Sequence, residues 1–348
     1  KRPTEDDFIG NDRIHALAHT RFGIDRDRKT SSGVMDLTEE VVNKVGRTGG
    51  TFLHTSRTNP AKVREKDLPE HLRREGLVYH SDTTETIVAN LEHLEIDALI
   101  PIGGDDTLSY AARLNQAGYP QIAIPKTMDN DVPGTDYCIG FSTCVTRTIE
   151  LTHRLRTSAG SHERFLVLEV FGRYAGFSAI LPTMAGAADR CVIPEHPFDM
   201  EQLCDLLSSD RREHPSNYSV VLISEGATMT HHDEMLFEGE ETDQYGHKKL
   251  GGIGDQVAVQ LKELSPRFNN GRRVNVLSQR LGYLVRCGDP DAMDSIVPMA
   301  FGNLAFDMVK ANTSGRLISL HNGCYDTVPI DVVTGHKKIV DISKYYDT

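Results

Sequence analysis

Apolar residues along this chain recur in two rhythms that take turns. Ile87, Val88, Leu91 and Leu94 fall at helical spacing, which predicts a helix over 83–94 with one packed face. An uninterrupted apolar run, Ala98-Leu-Ile-Pro-Ile102, then stops at Gly103-Gly104-Asp105-Asp106-Thr107, and Ala111, Ala112 and Leu114 resume the helical spacing. That reads as strand, tight turn, helix. The design repeats with a strand over 121–125, a helix over 142–156 with Val145, Ile149 and Leu155 inward, and a strand over 165–170. Helices over 175–188 and 200–207 alternate with strands over 190–194 and 218–224. A helix over 257–264, a strand over 272–277 and a long helix over 291–312 follow, and a short helix is predicted over 37–45. Such alternation predicts an α/β fold with mostly parallel sheets.

Three stretches stand outside this pattern. Residues 1–33 are charged, and Phe8, Ile9, Leu17, Phe22 and Ile24 are too scattered to make a buried strand. Residues 61–82 are rich in Lys, Arg and Glu and read as an exposed helix or excursion, and 227–249 is polar. His231-His232 in the latter reads as a loop pair, because no third ligand lies at a metal-site spacing. Leu250-Gly-Gly-Ile-Gly254 has the look of a dinucleotide glycine loop but lacks the preceding strand that motif needs. A chain of 348 residues suits two lobes or one large α/β domain. The net charge of -12 argues against nucleic acid and anionic membrane as partners, so an anionic substrate would need Arg and Lys concentrated locally. Six cysteines show no paired spacing and read as reduced thiols of a cytoplasmic protein. No stretch approaches ~18 uninterrupted apolar residues, and no signal-peptide pattern opens the chain.

The candidate chemistry sits where strands end. A glycine pair closing a strand lets backbone N–H groups come close to a phosphate, and the following helix adds its positive N-terminal end. Asp105 and Asp106 at that place call for a divalent cation bridging them to phosphate oxygens, and Mg2+ favours one or two carboxylates plus phosphates and water. Lys126, Thr127, Asp129 and Asp131 end the next strand, at the sheet edge where open α/β folds place ligands. Arg164 and Arg173 flank the strand over 165–170, and guanidinium forks match phosphate bidentately. Glu225 follows the strand over 218–224, where a carboxylate either accepts hydrogen bonds from sugar hydroxyls or is a solvated turn acid.

GGDDT at 103–107, PKTMDND at 125–131, GTDYCIGFST at 134–143, SHER at 161–164, EVFGRYAG at 169–176, SEG at 224–226 and GYLVRCGDP at 282–290 stand in this order. Together they resemble the phosphofructokinase family, over about Gly49 to Asn312. The resemblance implies two Rossmann-like three-layer lobes with mostly parallel sheets. It divides the chain into an atypical segment over 1–33, a phosphoryl-donor lobe over 34–140, a fructose 6-phosphate lobe over 141–312, and a segment over 313–348 returning to the donor lobe. It implies Mg2+-dependent phosphoryl transfer to the 1-hydroxyl of fructose 6-phosphate. Asp129 would be the base, with Thr127 and Asp131 ordering the sugar. Gly104, Asp105, Asp106, Arg57 and Lys126 would hold the donor, with Asp105 on the metal. Arg57, Arg173 and Lys126 would offset charge on the phosphoryl group, and Phe171, Gly172, Glu225 and Tyr283 would line the sugar site. Arg164, Arg286 and either Arg273 or Arg280 would bind the 6-phosphate. In bacterial relatives some of these arginines come from a neighbouring subunit, so a homodimer or homotetramer is implied.

Residues 1–33 depart from the family, whose members normally begin with a strand and a glycine-rich phosphate loop. Either that segment is missing from this chain, or part of the donor site has been lost. Donor choice follows from two positions. Relatives that use ATP usually carry glycine where Asp106 stands and often where Lys126 stands. Asp106 adds bulk and negative charge where a nucleotide's α-phosphate would lie, while Lys126 suits a compact, highly charged donor. The expectation is pyrophosphate as donor, in glycolysis. The alternatives are an ATP-dependent 6-phosphofructokinase and a non-catalytic regulatory subunit or paralogue.

Overall fold

The computed structural model describes residues 15–17, 34–45, 48–51, 59–64, 80–230, 235, 237–242 and 248–347. Arg57, His231 and His232, nearly all of 1–33 and residues 65–79 lie outside the described residues. In chain order, β1 (His15–Leu17) pairs antiparallel with β2 (Val34–Asp36), α1 (Glu39–Val45) follows, and β3 (Val63–Arg64) pairs antiparallel with β4 (His80–Ser81). Then come α2 (Thr84–His93), β5 (Ile102–Gly103), α3 (Asp105–Gln116), β6 (Ile122–Pro125), α4 (Phe141–Ser161) and β7 (Phe165–Val170). Next are α5 (Phe177–Met184), β8 (Arg190–Val192), α6 (Met200–Glu213), β9 (Ser219–Ser224) and the antiparallel pair β10 (Phe237–Thr242) and β11 (Lys248–Leu250). The chain ends with α7 (Ile253–Phe268), β12 (Val276–Arg280), α8 (Ala292–Lys310), β13 (Arg316–His321), β14 (Cys324–Pro329) and α9 (Ile342–Tyr345).

The chain divides into two compact units. The first comprises Lys1–Lys126, Gly134–Tyr137 and Gly288–His336. Its main sheet runs β14-β13-β6-β5, parallel except for β14. All four residues of β6 are buried, as expected of a strand covered on both faces. Leu108, Ala111, Ala112 and Leu114 form the inward stripe of α3, which packs on β5 and β6. The apolar run 98–102 yields a strand of two residues plus a bridge from Leu99 to Gln121. Pro101, inside that run, has no N–H to give to a ladder. The long helix expected to close the fructose 6-phosphate lobe belongs instead to this first unit. As α8 it buries Val297, Phe301 and Ala305 against β6 and β13, and the Phe301 ring meets Tyr325 edge-on at 6.1 Å.

The second unit comprises Thr127–Pro133, Cys138–Cys287 and Lys337–Thr348. Its sheet, β12-β7-β9-β8, is parallel throughout. Phe165 and Val167 of β7 enter one core with α6 and α7 residues such as Leu203, Leu207, Val257 and Leu261. Leu166, Leu168 and Val170 enter another, on the opposite face, with Cys144, Ala159, Ala179 and Ile180 of α4 and α5. Side-chain alternation along one strand thus builds three layers directly. Two departures from expectation bear on the site. The last strand begins at Val276, so Arg272 and Arg273 precede it and Arg280 ends it. The terminal segment does not return as a whole to the first unit: from Lys337 on it docks on the second, where Val340 is 2% exposed.

Candidate active site

Because the strands of the second unit are parallel, their C-terminal ends share one edge, and two of the loops there interlock. Glu225 N donates to Val170 O (2.9 Å) and Gly226 N to Gly172 O (3.2 Å). Gly172 has φ +130, and a Cβ there would lie 2.8 Å from Ala175 O; one on Gly226 would lie 2.0 Å from Arg173 O. Only glycine permits that approach, which seats Arg173 and Glu225 beside each other at the edge. Beyond β12, the 3-10 turn Gly282–Arg286 adds an aromatic shelf: Phe171 and Tyr283 meet edge-on at 6.0 Å. The Arg286 guanidinium stacks 4.2 Å from the Phe171 centroid and 5.3 Å from that of Tyr283.

The segment Thr127–Pro133 supplies the carboxylates. Thr127 Oγ1 accepts from Asp129 N at 3.3 Å, and Asn130, at φ +54, turns the chain while its Oδ1 accepts from Cys138 N at 3.0 Å. Asp131 is 8% exposed, and Lys337 Nζ lies 3.8 Å from its Oδ2. Asp129 Oδ1 is buried without a hydrogen-bond partner. Burial, and then the neighbouring Asp131 charge, push Asp129 up to about 6 against the pull of Arg286, Lys337 and Arg173. Glu225 is pushed up to about 7, again chiefly by burial and then by Asp129, with Arg173 opposing. Two half-buried acids poised near neutrality, one with a buried, unsatisfied oxygen and both facing guanidinium groups, form an arrangement able to take a proton from a hydroxyl near an anion. Lys337 was not foreseen: no motif or periodicity in the sequence marks it.

The arginines expected on the 6-phosphate do not gather at one place in this chain. Phe165 N donates to Asn275 O, and Ser219 N to Arg164 O, so Arg164 and Arg273 belong to the N-terminal edge of the sheet. Arg173, Arg280 and Arg286 belong to the C-terminal edge, a six-residue strand away, which is roughly 20 Å. Arg280 is also engaged: its Nε lies 3.0 Å from Glu169 Oε1. Glu169 is 4% exposed, and its Oε2 accepts from Gly252 N and Gly254 N at 3.1 and 2.9 Å. Arg280 therefore secures the glycine turn before α7. Arg273 is exposed.

In the first unit, Gly104 caps α3 in an extended conformation, and Asp105 and Asp106 occupy its first turn. Gly103 and Pro125 are register partners, and Lys126 N donates to Gly103 O at 2.8 Å. The end of β6 is thereby fixed beside the start of α3, at the positive end of a 12-residue helix. Among the described residues no group of three or more His, Cys, Asp or Glu side chains could hold a metal. A half-buried carboxylate at a helix N-terminus fits a cation that draws its other ligands from phosphate and water, as Mg2+ does.

The sequence matches the Phosphofructokinase family over residues 19–309. It is 39% identical over 298 residues to the pyrophosphate--fructose 6-phosphate 1-phosphotransferase of Streptomyces coelicolor, covering 85% of this chain and 79% of that one. It is 35% identical over 299 residues to an ATP-dependent 6-phosphofructokinase of Mycobacterium bovis, covering 86% and 80%. The fold resembles Saccharomyces cerevisiae phosphofructokinase (TM-score 0.68, 22% identity), with 86% of this chain aligned to 39% of that longer one. It also resembles a pyrophosphate-dependent phosphofructokinase from Marinobacter aquaeolei (TM-score 0.60, 23% identity, 77% and 68% covered). The chain belongs to the phosphofructokinase family.

Proposed function

We propose that this phosphofructokinase transfers a phosphoryl group reversibly from pyrophosphate to the 1-hydroxyl of fructose 6-phosphate. The observation that carries the donor choice is the hydrogen-bonded junction of the first unit, where Lys126 is tied to Gly103 while Asp105 and Asp106 open α3. A nucleotide's α-phosphate would have to lie against the Asp106 carboxylate. Pyrophosphate ends before that point and gains the Lys126 cation. ATP remains the second reading, since relatives named for either donor lie at similar identity. Supplying fructose 6-phosphate with each donor and measuring fructose 1,6-bisphosphate separates the two; turnover with ATP and none with pyrophosphate rejects the proposal.

In the forward direction Asp129 removes the proton of the 1-hydroxyl as its oxygen bonds to the terminal phosphorus. The bond from that phosphorus to the bridging oxygen breaks, and inorganic phosphate leaves. Thr127 and Asp131 keep the loop of the base in place, while Arg173 and Lys126 offset the charge spreading over the phosphoryl oxygens. Asp105 would hold Mg2+ with donor oxygens, and the chemistry such an ion supplies is charge neutralisation between the phosphates. Glu225 accepts from a sugar hydroxyl, and Arg286, stacked on Phe171 and Tyr283, meets the 6-phosphate. Arg164 and Arg273 stand at the far edge of the sheet, so their part in phosphate binding belongs to a second copy of the chain, in a homodimer or homotetramer. A cytoplasmic location goes with six free thiols.

A further inference from the structure

We propose that Lys337, delivered by the carboxy-terminal strap over 337–347, is a positioning residue for the catalytic loop, holding Asp131 and keeping the base Asp129 ionised. The inference rests on the phosphotransferase reading above and extends it to a segment that no motif marks.

The strap is built into the second unit at several points. Lys338 N donates to Asp131 O at 2.9 Å, so the backbones of strap and catalytic loop are joined. Two residues on, Val340 N donates to Glu195 Oε1 at 2.8 Å, and Val340 is buried. The same Glu195 carboxylate accepts from Gly176 N at 3.0 and 3.2 Å, which ties the strap to the loop carrying Arg173. Further along, Tyr346 OH donates to Cys191 O at 2.9 Å, and its ring packs 5.9 Å from that of His196.

These anchors determine where Lys337 goes. Its Nζ lies 3.8 Å from Asp131 Oδ2 and 4.3 Å from the centroid of the Tyr174 ring, the residue after Arg173. An exposed lysine–carboxylate pair usually contributes little, because water screens it and both side chains lose freedom. This pair differs, since the Asp131 side chain is 10% exposed and that of Lys337 35%. Asp131 is also the charge that works against ionisation of Asp129. A cation held on Asp131 therefore favours the basic form of Asp129 from one carboxylate away. Among the described residues, the charged and titratable groups acting on Asp129 include Asp131, Arg173, Glu225, Arg286, Lys337 and the Cys138 thiol, and they come from four loops and the strap. Lys337 is the member contributed by the strap.

The test compares wild type with K337M, K337Q and K337R, each in the whole chain, using whichever donor the wild type accepts. A direct hydrogen-bond donor to a transition state is worth about 10²–10³ in kcat, so a cation acting through Asp131 should cost about tenfold. K337M and K337Q should lose that much kcat with the KM for fructose 6-phosphate nearly unchanged, and the acid limb of the kcat/KM profile should move to higher pH. K337R should restore both. An unmoved acid limb with wild-type kcat overturns the inference. So does K337R failing as badly as K337M with an unshifted profile, which is the behaviour of a residue that only packs. Carboxyl NMR of 13C-aspartate-labelled protein, with D129N to assign the resonance, follows the Asp129 titration without any donor. If the wild type turned over neither pyrophosphate nor ATP, the phosphotransferase reading would fail, and an Asp129 resonance that titrates alike in wild type and K337Q would separately overturn the role of Lys337.

Discussion

At the scale of single residues, the site works by keeping acids in places that disfavour their charge. Asp129 and Glu225 are both held above the ordinary carboxylate range, first by burial. For Asp129 the folded value near 6 exceeds the unfolded one. The stability it contributes is therefore fully present below the ordinary aspartate range and is lost as pH rises through about 6. Replacing Asp129 by Asn should raise the melting temperature at pH 8 and raise it clearly less at pH 4.5, while cutting kcat by about 10²–10⁴. Calorimetry beside steady-state assays checks both halves. With Asp129 as the proposed base, which acts only when ionised, kcat/KM should fall on the acid side of about pH 6 in the wild type. The placement of the acids was legible in the sequence, because KTMDND and SEG put carboxylates at strand ends, where α/β folds bind ligands, but their raised protonation was not. Nor was the unsatisfied Asp129 Oδ1, since it depends on a fold closing around one atom.

Among the elements, the interlocked loops after β7 and β9 carry the most geometry. An alanine at position 226 would put its Cβ 2.0 Å from Arg173 O. Gly226→Ala should push Arg173 and Glu225 apart and lower stability by about 1–3 kcal/mol. Denaturant unfolding measures the second effect, and a raised KM for fructose 6-phosphate marks the first. Strand and helix alternation placed β7 and β9 to within a residue, because both are continuous apolar runs, and it located the helices around them by their 3.6 spacing though not their ends. It failed at β12, where Arg272-Arg273-Val-Asn-Val reads as a strand but the ladder with β7 starts at Val276. Register there is set by pairing with a neighbour far away in sequence, which no local pattern reports. That displacement separated Arg273, exposed before the strand, from Arg280, taken up by Glu169.

For the whole molecule, the contiguous lobes expected from the sequence gave way to two units between which the chain passes repeatedly, at 126/127, 133/134, 137/138, 287/288 and 336/337. Such crossings leave no compositional trace, whereas linkers between independent domains often do. Arg164 and Arg273 lie on the far edge of the sheet, so the proposed phosphate-binding role for them requires a second copy of the chain. Asp129→Asn and Arg164→Ala subunits, each inactive alone, should recover about a quarter of wild-type activity when mixed and allowed to exchange, since one of the two sites in each hybrid dimer is intact. No recovery in verified hybrids would place Arg164 outside the phosphate site. The central claim concerns the donor, and the ratio of kcat/KM for pyrophosphate to that for ATP, taken in wild type and in Asp106→Gly, tests it most directly. The account predicts that pyrophosphate is preferred by about 10²-fold or more in the wild type, and that removing the carboxylate narrows the gap by admitting ATP. An equal or greater rate with ATP in the wild type, or a variant that gains no use of ATP, would contradict it.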